Sequence, residues 1–73
     1  MRNDKAMAAA LVALRERKGV TQFEVAVATG IMPQSISAYE RGRNVPTLAR
    51  LQKLADYYGV SLDAITGHEP AKK

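Results

Sequence analysis

The stretch "PQSISAYER", Pro33 to Arg41, puts Gln34, Ser35, Ser37, Ala38 and Arg41 on what would be one side of a helix. These side chains are small, or polar and hydrogen-bonding, and none is acidic. The chemistry open to them is recognition. A glutamine can bond both N6 and N7 of adenine, and small neighbours allow close approach to a base edge in the major groove. A helix face that is merely solvated more often carries Glu and Lys.

Reaction chemistry has little to work with. Ser35 and Ser37 lack a histidine to act as base, which nucleophilic catalysis requires. His68 is the single histidine and lies beside Glu69 in a polar stretch, and two adjacent residues do not make a metal site. There is no cysteine, so disulfides and thiolate-bound metals are excluded. Neither a glycine-rich phosphate loop nor a paired-carboxylate arrangement is present. The expectation is a protein that is not an enzyme and uses no cofactor or metal.

The chain has 73 residues, with 11 Lys and Arg against 7 Asp and Glu, a net charge of +4. A chain this short makes one small domain whose core must use most of its apolar side chains. Residues 1–67 are expected to form it, with 68–73, "HEPAKK", as a disordered polar tail. A basic domain attracts polyanions, nucleic acid first. Lack of cysteine fits a reducing compartment, so a cytoplasmic location is expected. "MRNDK" followed by "AMAAALVAL" resembles a secretory leader. Asp4 in the charged region, the direct passage into "RERKG" and the helical spacing of Met7, Leu11 and Leu14 favour a helix instead. No run reaches the roughly 18 apolar residues that a membrane span needs, so no membrane partner is expected.

The elements that must hold the Gln34 face are short and well punctuated. A first helix is expected from Asp4 or Lys5 to Lys18, with Arg15, Arg17 and Lys18 favourably placed in its last turn. "TQFE" is a capping box that opens a second helix after Thr21, ending at Thr29 before Gly30. Pro33 suits the first turn of a third helix running to about Arg41. Thr47 caps a fourth helix that ends at Tyr58, and Ser61 caps a short fifth that ends before Gly67. The spacing predicts a core of Leu11, Leu14, Val20, Val25, Ala26, Ile31, Ile36, Tyr39, Leu48, Leu51, Leu54, Ala55, Val60, Leu62 and Ile65. Of the adjacent Tyr57 and Tyr58, one is expected in the core and the other partly exposed.

Small Ala26, the turn residue Gly30 and apolar Ile36 have the logic of two helices crossing steeply through a tight turn. Here "LRERKGVTQFEVAVATGIMPQSISAYERGRNVPTLARLQKLADYYGVSLDAI" resembles the DNA-binding domain of phage repressors and Cro proteins, the XRE-type helix-turn-helix family. The ordered set "LR…KG-hydrophobic-TQ", "A…G", "IS.YE.G…P" and "L..LA..…GVSLD" carries the likeness over about residues 8–66.

The resemblance implies an all-α, five-helix, repressor-like domain that binds double-stranded DNA as a transcriptional regulator, with helix 33–41 in the major groove. A protein-interaction adaptor or antitoxin on the same scaffold is the alternative. By this likeness Pro33, Gln34, Ser37 and Ala38 face base edges. Gln22, Ser35, Arg41, Arg43 and Asn44 meet phosphates, Gln22 through its side chain and backbone N–H, and Arg17 and Lys18 add charge nearby. Arg15 and Glu40 are implied as a partly buried ion pair. Two positions depart from the family's pattern: Met32 stands where a capping Ser or Thr is usual, and Pro33 where a polar base reader is common. Gln34 is left as the principal reader. Phe23, at a position usually polar, is expected to pack against the N-terminal arm rather than stack near the DNA backbone or stand exposed. The expected assembly is a monomer or weak homodimer that pairs on DNA through the fifth helix and the end of the fourth.

Overall fold

Each helix boundary has a local chemical cause. In the computed structural model, which describes residues 4–66, Thr21 Oγ1 accepts from the Glu24 N–H at 3.0 Å and Glu24 Oε1 accepts from the Thr21 N–H at 2.8 Å. This closes the capping box at the start of a helix over Gln22–Thr29. Thr47 Oγ1 accepts from the Arg50 N–H, and Ser61 Oγ from the Ala64 N–H, opening two further helices in the same way. The full order is α1 Asp4–Lys18, α2 Gln22–Thr29, α3 Pro33–Glu40, α4 Leu48–Tyr58 and α5 Leu62–Thr66. No strand occurs among the described residues. The all-α, five-helix architecture read from the sequence is the one observed. Gly67 and the expected tail, His68–Lys73, lie outside the described residues.

None of these helices is long enough to be stable alone, and packing of their apolar faces supplies what propensity does not. α1 packs on α3, α4 and α5, and α2 on α3 and α4. Val25, Leu54 and Ile65 are the most fully enclosed large side chains, joined by Met7, Leu11, Ala26, Ile31, Ile36, Tyr39, Leu51 and Ala55. Leu14, Val20, Tyr57, Tyr58, Val60 and Leu62 pack on this cluster from its edge.

Three expectations change. Leu48 is not core: as the first residue of α4 it is 70% exposed, because α4 turns its buried stripe through Leu51, Leu54 and Ala55. Phe23 is 65% exposed, since the buried side of α2 is taken by Val25, Ala26 and Thr29. Tyr57 and Tyr58 both stay at the edge of the core instead of one entering it. Both are half-buried and meet edge to face with ring centroids 5.1 Å apart.

Candidate nucleic-acid interface

The turn between α2 and α3 fixes how α3 is presented. Gly30 ends α2 at φ 76° and its N–H donates to the Ala26 carbonyl at 2.8 Å. The buried Thr29 hydroxyl donates to the Val25 carbonyl at 2.8 Å and accepts from the Ile31 N–H at 3.3 Å. The turn therefore satisfies its own polar groups, as a buried turn must. α3 then begins at Pro33, with Met32 as an N-cap that makes no side-chain bond.

α3 has an anchored side and an open side. Ile36 and Tyr39 are buried in the core. Arg50 Nη1 donates to the Tyr39 hydroxyl at 2.9 Å. Glu40, the last residue of α3, has a side chain only 5% exposed and takes two donors from two other helices. Arg15 Nε of α1 donates to Oε2 at 2.8 Å, and Gln22 Nε2 of α2 donates to Oε1 at 2.9 Å. Arg15 Nη1 also donates to the Val20 carbonyl at 3.1 Å. The hydrogen bond that Arg15 donates to Glu40 holds its guanidinium above the ordinary pKa. Half-buried Tyr58 is pushed up to about 12, first by burial and then by the nearby Glu40 carboxylate.

On the open side, Gln34 is exposed and its amide has no partner among the described residues. Ser35, Ser37 and Ala38 are half-buried, and Pro33 and Arg41 are exposed. The α3 end is closed by Gly42 at φ 76°, and the Arg43 N–H donates to the Ala38 carbonyl at 2.9 Å. This 6→1 bond fastens the following loop to α3, with Arg43 and Asn44 exposed beside it. Arg41 and Arg43 have no acidic partner among the described residues. They leave a positive edge at the end of an acid-free helix face.

The implied phosphate residues are not equivalent. Gln22 is half-buried, and one amide proton is committed to Glu40; its second amide proton and its backbone N–H remain for a ligand. Arg17 is exposed and has no ion-pair partner among the described residues. Lys18 is turned onto α4, its Nζ 4.9 Å from the Tyr57 ring centroid, a cation–π geometry. Sequence reading passed over Arg50. It is an exposed cation tied to α3 through Tyr39, and no local pattern announces that bond.

Residues 11–65 match the helix-turn-helix family HTH_3, and the chain belongs to that family. It is 48% identical over 48 residues to an uncharacterised HTH-type transcriptional regulator, y4dJ, of Sinorhizobium fredii, covering 66% of this chain and 62% of that protein. It is 39% identical over 49 residues to the cryptic phage CTXphi transcriptional repressor RstR of Vibrio cholerae, covering 67% of this chain and 44% of that one. The chain thus spans less than two thirds of the length of either relative. Among solved structures, the clp gene regulator ClgR from C. glutamicum superposes with a TM-score of 0.76 at 30% identity, over 94% of this chain and 95% of that one. No helix among the described residues is long and apolar enough to cross a membrane.

Proposed function

We propose that the chain is a sequence-specific, double-stranded DNA-binding transcriptional regulator, acting as a repressor in the cytoplasm and performing no catalysis. The observation that carries this is the two-sided character of α3. One side is fixed by Ile36, Tyr39 and the Glu40 pairings, while the other presents an unpartnered Gln34 among small residues with cations at its end. A rigid helix with an open hydrogen-bonding edge suits insertion into the major groove. The names of the relatives support the same reading.

In this role Gln34 reads a base by two hydrogen bonds, with Pro33, Ser37 and Ala38 in close approach beside it. Ser35, Arg41, Arg43 and Asn44 position the domain on the phosphate backbone. Gln22 contributes its backbone N–H at the start of α2, where helix N-termini suit anions, together with its remaining amide proton. Arg17 and Lys18 add to the field. Two copies bind a pseudo-palindrome, pairing weakly.

Selection of bound sites from random duplex DNA tests the proposal. A consensus should emerge, and affinity for it should fall by orders of magnitude between about 50 and 200 mM salt. Failure to enrich any sequence, with capture of a protein partner indifferent to DNA, would replace this reading with the adaptor or antitoxin one.

A further inference from the structure

Large exposed hydrophobic side chains are few among the described residues: Phe23, Val27, Met32 and Leu48. Phe23, Val27 and Met32 line one shallow groove together with Pro33. It runs from the outer face of α2 across the turn to Pro33, the first residue of α3, which Gln34 follows in sequence. At that end the lining side chains, Met32 and Pro33, carry no polar group. Met32 is 58% exposed and makes no capping bond. Pro33 has no backbone N–H to donate. A hydroxyl at position 32 would cap the helix, so the apolar side chain forgoes a local stabilisation.

Apolar surface at the leading end of a major-groove helix has one complementary feature in the duplex. Base edges there present donors and acceptors, and the C5-methyl group of a pyrimidine is the exception. Phosphates and sugars do not reward a thioether or a pyrrolidine ring. We propose that Met32, with Pro33, reads the C5-methyl group of a pyrimidine, thymine or 5-methylcytosine, at the base step next to the one Gln34 contacts. The assignment rests on the DNA-binding reading and adds a specificity residue to it. Phe23 and Val27 lie further back on α2 and are not needed. Burying one methyl group against Met32 and Pro33 is worth about fourfold in affinity.

The test begins from a selected operator. Each thymine is replaced singly by deoxyuridine, which removes the methyl group alone. One position in each half-site should lose about fourfold. At that position a C·G pair should bind about fourfold better when the cytosine is 5-methylated. Met32→Ser should lose both ratios while melting at or above the wild-type temperature, because serine restores a cap. A selected site with no methyl-sensitive position overturns the assignment and leaves the DNA-binding reading standing. So does discrimination that survives Met32→Ser, or a uracil effect with no matching 5-methylcytosine effect, which reports duplex deformability instead. If Met32→Ser loses a protein partner and no methyl discrimination, the groove is a protein-docking surface and the assignment fails. If no duplex is selected at all, both readings fall together.

Discussion

Glu40 accepts from Arg15 and Gln22 at once, so its removal has two kinds of consequence. Glu40→Ala strands an Arg15 side chain that is only 20% exposed, and breaking a buried pair on one side costs about 3 kcal/mol at the low end of the usual range. For a domain of this size that lowers the melting temperature by roughly 12–24 °C, which a thermal melt followed by circular dichroism will show. A drop of only a few degrees would mean that the pair contributes no more than a surface one. Gln34 should behave in the opposite way, because it is exposed and unpartnered. Gln34→Ala should leave the melt unchanged, cost about 1–3 kcal/mol on the selected site and relax preference at one or two base pairs. Equal loss on specific and random DNA would reduce it to a positioning role. Tyr58 supplies a pH signature. Its hydroxyl is displaced from 10.0 to about 12 in the fold. Below the ordinary value both folded and unfolded chains keep the proton. Above it the unfolded chain ionises first, so stability falls as pH rises from about 10 to 12. Tyr58→Phe should flatten that part of the stability curve relative to wild type, as chemical denaturation at a series of alkaline pH values will measure.

Among the elements, the turn from α2 to α3 sets the presentation of α3, and its cost is legible from two residues. A Cβ at Gly30 would meet nothing within 4 Å, so Gly30→Ala costs only the backbone strain of a left-handed residue, about 1–2 kcal/mol. Thr29→Val keeps the shape but leaves the Ile31 N–H unbonded in a buried turn, which costs about 1–3 kcal/mol. Denaturant titration of both variants checks the ordering against wild type. Helix boundaries such as Thr21–Glu24, Gly30, Thr47 and Gly59 were readable in the sequence because each depends on residues within four positions. Leu48 and Phe23 were not. Their exposure depends on which side of α4 and α2 the other helices occupy, and an apolar residue next to a buried stripe gives no local sign of that. The Gln22–Glu40 bond joins residues 18 positions apart, and no spacing rule announces it. Met32, by contrast, was visible as a missing cap, although its exposure was not.

For the molecule as a whole, charge and size govern behaviour on a duplex. Arg43→Ala should weaken binding to every duplex alike and lower the salt slope by about one phosphate contact. One recognition helix reads too few base pairs to single out a site among millions, and the paired binding proposed above would set two α3 helices about 34 Å apart, the half-site spacing of such dimers. The surface expected for pairing, α5 with the end of α4, has little apolar area to spare. Ile65 is fully buried in the core, and Leu62 and Tyr58 are already half-buried against it. Interfaces below roughly 1,000 Å² are usually weak. Sedimentation should therefore find a monomer or weak dimer free in solution and two copies on a palindromic operator. A stable dimer at low micromolar concentration without DNA would contradict the weak interface.

The division of α3 into an anchored and an open side bears on how such a protein can change over generations. Ile36, Tyr39 and Glu40 carry the attachment, whereas Gln34 and Arg41 carry none of it through their side chains. If the open side reads the operator as proposed, mutations there change the preferred site while the scaffold keeps its stability. On that reading new targets are reachable by single steps through folded intermediates, whereas a change at Glu40 costs stability first.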